Sequence, residues 1–212
     1  MEQQPPPSTP PPEPTLPPAA APAAQHPIRL HITDDLQRNR LTVFFRLILA
    51  IPHIIWLSLW GIITYLAVFV NWLATLFTAQ SPEGLHNFIA AYLRYFTHVE
   101  AYIFLLADPY PGFTGKQGYP IDLEVDPPQR QSRLTVFFRG ILAIPAFIVS
   151  SIMSYISRIL AVFSWFIALV TGRVPEGLRN FGAFALRFEQ QTLAYAFLLT
   201  GKYPNFNVGV EA

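Results

Sequence analysis

Two arginines, Arg94 and Arg187, stand inside otherwise apolar helical stretches of this 212-residue chain. An ionisable group in such a setting is a site candidate by default. The competing reading is an arginine that lays its stem along lipid and lifts its head to a phosphate. Glu100 and Glu189 are the nearest carboxylates, although neither lies three or four residues from its arginine, the spacing that brings helical side chains together. The histidines His26, His31, His53, His86 and His98 show no ligand spacing with a carboxylate. His98 and Glu100 are two apart on one helix and point to different faces. The sequence also lacks a phosphate-binding glycine loop, a nucleophile elbow and a dinucleotide fingerprint. With no cysteine, thiolate catalysis and Cys-ligated metals are excluded. The expectation is a chain with no catalytic, cofactor-binding or metal-binding residue, and so not an enzyme.

The elements around these arginines are greasy. Hydrophobic residues make up 52% of the chain and charged residues 13%, about half the charged share of an ordinary soluble domain. Mean hydropathy is +0.34, which points to lipid as the main solvent. A net charge of +1 supplies no basic footprint for nucleic acid. Residues 1–27 differ sharply, holding about half of the 21 prolines and almost no large apolar side chain. They read as a disordered, extended tether without the basic start and apolar core of a signal peptide. Pro10-Pro11-Pro12 could dock in an aromatic groove of a cytoplasmic protein partner.

A duplication organises the rest. Arg40-Leu41-Thr42-Val43-Phe44-Phe45-Arg46 recurs letter for letter as Arg133 to Arg139, an offset of 93 residues. Without a gap, that offset aligns 28–113 with 121–206, and 37 of the 86 paired positions are identical. Few positions match between Ser150 and Phe163, and His53, His86 and His98 give way to Ala146, Arg179 and Gln191.

Each unit has four parts. Ile28–Ile32 and Ile121–Val125 alternate as half-buried strands do, and Phe206–Val210 has a similar pattern. The arginine-bracketed motif follows. It reads either as a headgroup anchor, with Arg40, Arg46, Arg133 and Arg139 reaching phosphate over Phe rings, or as the plain polar flank of a helix. Pro52 and Pro145 should kink or restart the helix there. Residues 54–77 and 146–170 are the clearest membrane spans, at about 36 Å each, the second interrupted by Arg158. After Ser81, suited to a helix cap, a second helix runs over about 85–106, and its counterpart over 178–199. Asn87, Arg94 and His98, and Asn180, Arg187 and Gln191, form a polar stripe on it. Such a helix either crosses beside a partner or lies in the interface.

Two crossings per unit would keep both motifs on one side, where the strands can pair and where basic residues gather (Arg29, Arg38, Arg40, Lys116, Arg130, Arg133 and Lys202). The expected topology is therefore two hairpins, multi-pass in the cell membrane, with the N-terminus, linker and C-terminus in the cytoplasm. One crossing per unit would instead make an inverted repeat.

The motif running into Ala-Ile-Pro, then Pro-Glu-Gly-Leu-x-Asn-Phe, Ala-Tyr-x-Phe-Leu-Leu and Tyr-Pro-x-Phe, resembles the bacterial membrane family known as domain of unknown function 4389. The resemblance runs from about Ile28 to Phe206. It implies an integral membrane protein of the bacterial inner membrane and carries over no site residue. The fold expected is an all-α membrane protein of tandem helical hairpins with short extramembrane strands. The function expected is a non-enzymatic scaffold or accessory subunit with the lipid bilayer as its partner, able to form oligomers. The alternative is a small transporter or channel component, working as an oligomer, with Arg94, Arg158 and Arg187 along a polar path. A lipid-directed enzyme is the weakest reading, for want of a paired acid and base.

Overall fold

The structure is a computed structural model that describes residues 26–206. All but the last two residues of the proline-rich segment, and the strand expected beyond Phe206, lie outside the described residues. The chain is mostly helical with one small sheet. Strand β1 (Ile28–Ile32) leads into α1 (Arg40–Thr78) and α2 (Glu83–Ile103); β2 (Ile121–Val125) leads into α3 (Arg133–Phe137), α4 (Arg139–Thr171) and α5 (Glu176–Ala196).

Local chemistry sets most of the boundaries. The Asn39 side chain accepts the Leu41 N–H at 3.0 Å and starts α1. Left-handed residues end both long helices, Ala79 at φ 61° and Gly172 at φ 73°. Of the kink or restart expected at proline, the restart does not occur, since Pro52 lies inside α1 and Pro145 inside α4. The second unit breaks earlier, at Phe138, near the Gly140 that stands where the first unit has Leu47; glycine weakens a helix by about 1 kcal/mol. Pro82 and Pro175 precede α2 and α5, with Glu83 and Glu176 favourably placed in the first turns. Ser81 does not cap α2; its hydroxyl donates to Asn71 Oδ1 of α1 at 2.6 Å.

The strands pair antiparallel with Leu30 opposite Leu123. These two are equivalent residues of the repeat, so a pseudo-two-fold axis passes between them. The same axis exchanges two ties between the units: Trp72 Nε1 donates to the Val136 carbonyl at 3.1 Å, and Trp165 Nε1 to the Val43 carbonyl at 2.9 Å. It also exchanges the bridges Gln37–Arg173 and Gln80–Arg130. The start of α1 thus lies beside the end of α4, and the end of α1 beside α3 and the start of α4. The two long helices are antiparallel. As a crossing pair they would put the two arginine motifs on opposite sides, whereas the expected two-hairpin arrangement needs them on one side.

Three layers stack along this axis. The sheet packs on α2 and α5, and these in turn pack on α1 and α4. Ile28, Leu30, Ile121 and Leu123 point down from the strands onto Ile89, Leu93 and Leu186 of the middle layer. Each such side chain contributes about 1.5–3 kcal/mol on full burial. Arg29, His31, Asp122 and Glu124 occupy the alternate strand positions, where Arg29 pairs with Glu124 at 3.2 Å.

The outer helices are inside out. In α1 the buried stripe is mostly small or polar: Arg46, Ala50, His53, Gly61, Thr64, Asn71 and Thr75, with Val43 among them. In α4 it is Arg139, Ala143, Ala146, Ser150, Ser157, Ser164 and Ala168, with Met153 among them. Large apolar residues such as Ile48, Ile62, Leu66, Phe77, Ile141, Ile159 and Val170 face outward. Both helices are long and apolar enough to cross a membrane, whereas among the described residues α2 and α5 are not.

Candidate functional site

The arginines singled out in the sequence fall into different environments. Arg40 and Arg133, at the starts of α1 and α3, are exposed beside exposed Phe44, Phe45, Phe137 and Phe138, as a headgroup anchor requires. Arg46 and Arg139 are no anchors: each is 1% exposed, so neither can reach a phosphate. Arg46 instead holds the turn after α2. Its Nη1 donates to the Tyr102 and Ala107 carbonyls at 2.7 and 3.0 Å, its Nη2 to Asp108 Oδ1 at 2.8 Å, and its guanidinium lies over the Tyr102 ring. Arg139 repeats the device after α5. It donates to the Thr200 carbonyl and to Gln131 Oε1 and lies over the Tyr195 ring, with Gly201 standing where the first unit has Asp108.

A second clamp adjoins each. Arg38 Nε and Nη2 donate to the Leu105 carbonyl while two nitrogens grip Asp34, and the equivalent Gln131 Nε2 donates to the Leu198 carbonyl at 2.7 Å. Leu105 and Leu198 carry φ of 60° and 66°, the left-handed region where helical bonding ends. The carbonyls freed there are what these side chains satisfy. No sequence spacing could have found these contacts, because more than 50 residues separate donor from acceptor.

Arg94 and Arg187, matched in sequence, part company in space. Arg94 Nε donates to the Leu123 carbonyl of β2 at 2.9 Å and lies 3.8 Å from Asp122, so its carboxylate is not Glu100. His98 also bonds Asp122, at 2.9 Å. Burial pushes the Asp122 carboxyl up, but the His98 bond, the Gly118 N–H and the Arg94 charge outweigh it and hold it below its ordinary value. Arg187 is buried on α5 against the Phe184 ring, and burial lowers its affinity for the proton. Arg158 is exposed on α4, over Tyr155. The three arginines thus stand in three different surroundings.

Glu100 and Glu189 meet each other instead. With Ser154, Ser157 and Gly182 they border a void of about 10 Å³, room for at most one water and none for a substrate. Ser154 Oγ donates to Glu189 Oε2 at 2.7 Å. Burial, followed by the Glu189 charge, raises the Glu100 carboxyl well above the carboxylate range, with Arg158 opposing. Burial raises Glu189 as well, against Ser154 and Arg158.

A raised folded value means that the fold holds a proton the unfolded chain releases near pH 4.5. The stabilisation contributed by this pair is therefore greatest below that pH and declines as pH rises toward the folded value. Buried His26 and His86, whose affinity for the proton burial lowers, act in the opposite direction over the same range. We therefore expect the unfolding midpoint of the wild type in detergent to fall, relative to that of Glu100→Gln, between pH 5 and pH 8, with the variant the more stable at pH 8. Parallel pH profiles for the two proteins would show that Glu100 is not the group responsible.

The arginine motif opens two stretches, residues 40–114 and 133–207, that each match the family described as a domain of unknown function (DUF4389). The chain belongs to the DUF4389 family. No curated protein and no solved structure matches it. In the first DUF4389 unit the motif's first arginine stays outside and its second turns inward to clamp the unit's end; the second unit does the same. The strands β1 and β2 precede the matched stretches, so the sheet lies outside them.

Proposed function

We propose that this DUF4389 protein is a non-enzymatic scaffold or accessory subunit seated in a lipid bilayer by α1 and α4. One observation carries the reading: both helices turn polar and small residues inward and large apolar residues outward. Soluble monomers rarely expose an apolar patch beyond a few hundred Å². Lipid is the solvent in which such a surface is stable. The non-enzymatic part is supported by where the polar side chains are committed, to turn carbonyls and to the sheet. The proline-rich segment is then available to a cytoplasmic protein partner. Exposed Arg40, Lys116, Arg130 and Arg133 favour a cytoplasmic placement of the polar layers.

The test is a paired substitution at equivalent exposed positions, Leu66→Glu with Ile159→Glu. On insertion scales each exchange of a branched aliphatic for a carboxylate costs about 3 kcal/mol at depth. The wild-type chain should float with vesicles. The double variant should lose most of that binding, more than 100-fold, while keeping its helical circular dichroism. A wild-type chain that stays folded and monomeric in buffer without detergent, and ignores vesicles, would end the proposal.

A further inference from the structure

Resting on that reading, we propose that the protein occupies one leaflet only: α1 and α4 lie in the plane of the membrane, and the sheet stands in water above them.

The first argument is symmetry. A rotation keeps unchanged the component of any direction along its own axis. Helices that a two-fold axis makes antiparallel must therefore run nearly perpendicular to it. The end-to-end ties Trp72 to Val136 and Trp165 to Val43 establish that relation for α1 and α4. The sheet sits on the axis at one pole, with the Leu30–Leu123 pair at its centre. If the long helices crossed the bilayer as an inverted repeat, the axis would lie in the membrane plane. The sheet would then be at mid-depth, presenting Arg29, His31, Asp122 and Glu124 to hydrocarbon, where charged groups are least tolerated. With the axis along the membrane normal, the same residues are in water.

Length agrees. The exposed apolar residues of α1 extend from Leu41 to Phe77. At 1.5 Å per residue this is about 55 Å, nearly twice the ~30 Å hydrocarbon core. In α3 and α4 they extend equally far, from Leu134 to Val170. An upright helix of that length would leave many large apolar side chains in water, whereas a helix lying in the plane keeps them all at one depth.

Charge placement agrees too. Exposed Arg158 lies near the middle of α4, the worst position in a crossing helix. In an in-plane helix the middle is no deeper than the ends, and the arginine can lift sideways to a phosphate. Among the described residues, every large hydrophobic residue that is strongly exposed belongs to α1, α3, α4, the Phe138 between the last two, or the loops carrying Tyr110, Phe113, Tyr203 and Phe206; none belongs to the sheet, α2 or α5. Arg40 and Arg133 then both reach the headgroups of one leaflet, at opposite ends of the helix pair. This arrangement restores the shared side expected for the two motifs without a single crossing.

The chain has no cysteine, so single thiols can report sidedness. Gln37→Cys and Gln80→Cys place exposed thiols before and after α1. Each variant would be treated with a membrane-impermeant maleimide in intact cells and in inverted membrane vesicles. Labelling of both from the same side only is expected. Labelling from opposite sides would overturn the one-leaflet arrangement and leave the bilayer seat intact, whereas recovery of the protein in a detergent-free supernatant would remove both. Nitroxide labels at Leu47, Ile62 and Phe77 give a second readout. Their immersion depths should agree within a few ångströms; a steady change along the helix would overturn the inference.

Discussion

Replacing Arg46 with methionine is expected to cost this protein about 3–5 kcal/mol, while replacing Arg40, six residues earlier in the same motif, should cost less than about 0.5 kcal/mol. The contrast follows from what each guanidinium touches. Arg46 binds two buried carbonyls, Tyr102 and Ala107, together with Asp108. Methionine fills much of the stem's volume and replaces none of those donors. The Ala107 carbonyl then loses its guanidinium donor in a space closed to water, the Tyr102 carbonyl keeps only backbone N–H donors such as that of Leu105 at 3.2 Å, and Asp108 loses its ion-pair partner. Arg139→Met should cost less, about 1–3 kcal/mol, because its contacts are to neutral oxygens and no carboxylate is stranded. Denaturant midpoints in one detergent, compared across the four variants Arg40→Met, Arg46→Met, Arg133→Met and Arg139→Met, decide the matter. Equal losses at Arg40 and Arg46 would mean that the clamp contributes nothing.

The second large effect is expected at a position where the repeat itself misleads. Gly182 of α5 corresponds to Ile89 of α2, so the duplication recommends Gly182→Ile as a harmless return to pattern. Helix propensity agrees, favouring isoleucine over glycine by about half a kcal/mol. The packing does not. A β-carbon built on Gly182 would come 2.5 Å from Leu106 Cδ2 and 3.5 Å from Ser157 Oγ. Leu106 is 3% exposed and has no route outward. Four extra carbons there should destabilise the protein by about 1–3 kcal/mol, outweighing the gain in propensity. Thermal unfolding of Gly182→Ile beside Gly182→Ala grades the effect, since alanine already carries the β-carbon that meets Leu106 but only one of the four added carbons. A stabilised isoleucine variant would show that Leu106 yields more readily than its burial implies.

Much of this protein was legible from the chain alone, because the signals involved are local or repetitive. The ungapped duplication, the alternation of Ile28–Ile32 and Ile121–Val125, and the charge-free helical stretches depend only on which residue follows which. The strand pairing followed from the same logic. Helix type was legible, but the extent of α1 was not. Residues 54–77 were expected as the span, with a kink or restart at Pro52, whereas one helix begins at Arg40 and passes through Pro52, because packing against α2 outweighs the one backbone bond that proline removes.

What only the tertiary structure decided is the partner of each polar side chain. Arg46 and Arg40 are the same residue type in one motif, yet one is buried and the other exposed, because the first lies on the stripe of α1 that faces α2. Glu100 was the nearest carboxylate to Arg94 in sequence, at a poor helical spacing, whereas β2 gives Arg94 and His98 a shared carboxylate in Asp122. Glu100 and Glu189 meet although their positions in the two repeats differ. The direction of α4 relative to α1 was equally out of reach. Repetition in sequence states that two units are alike, but the symmetry operation relating them is set by contacts between residues far apart in the chain, here the strand pair and the two tryptophan ties.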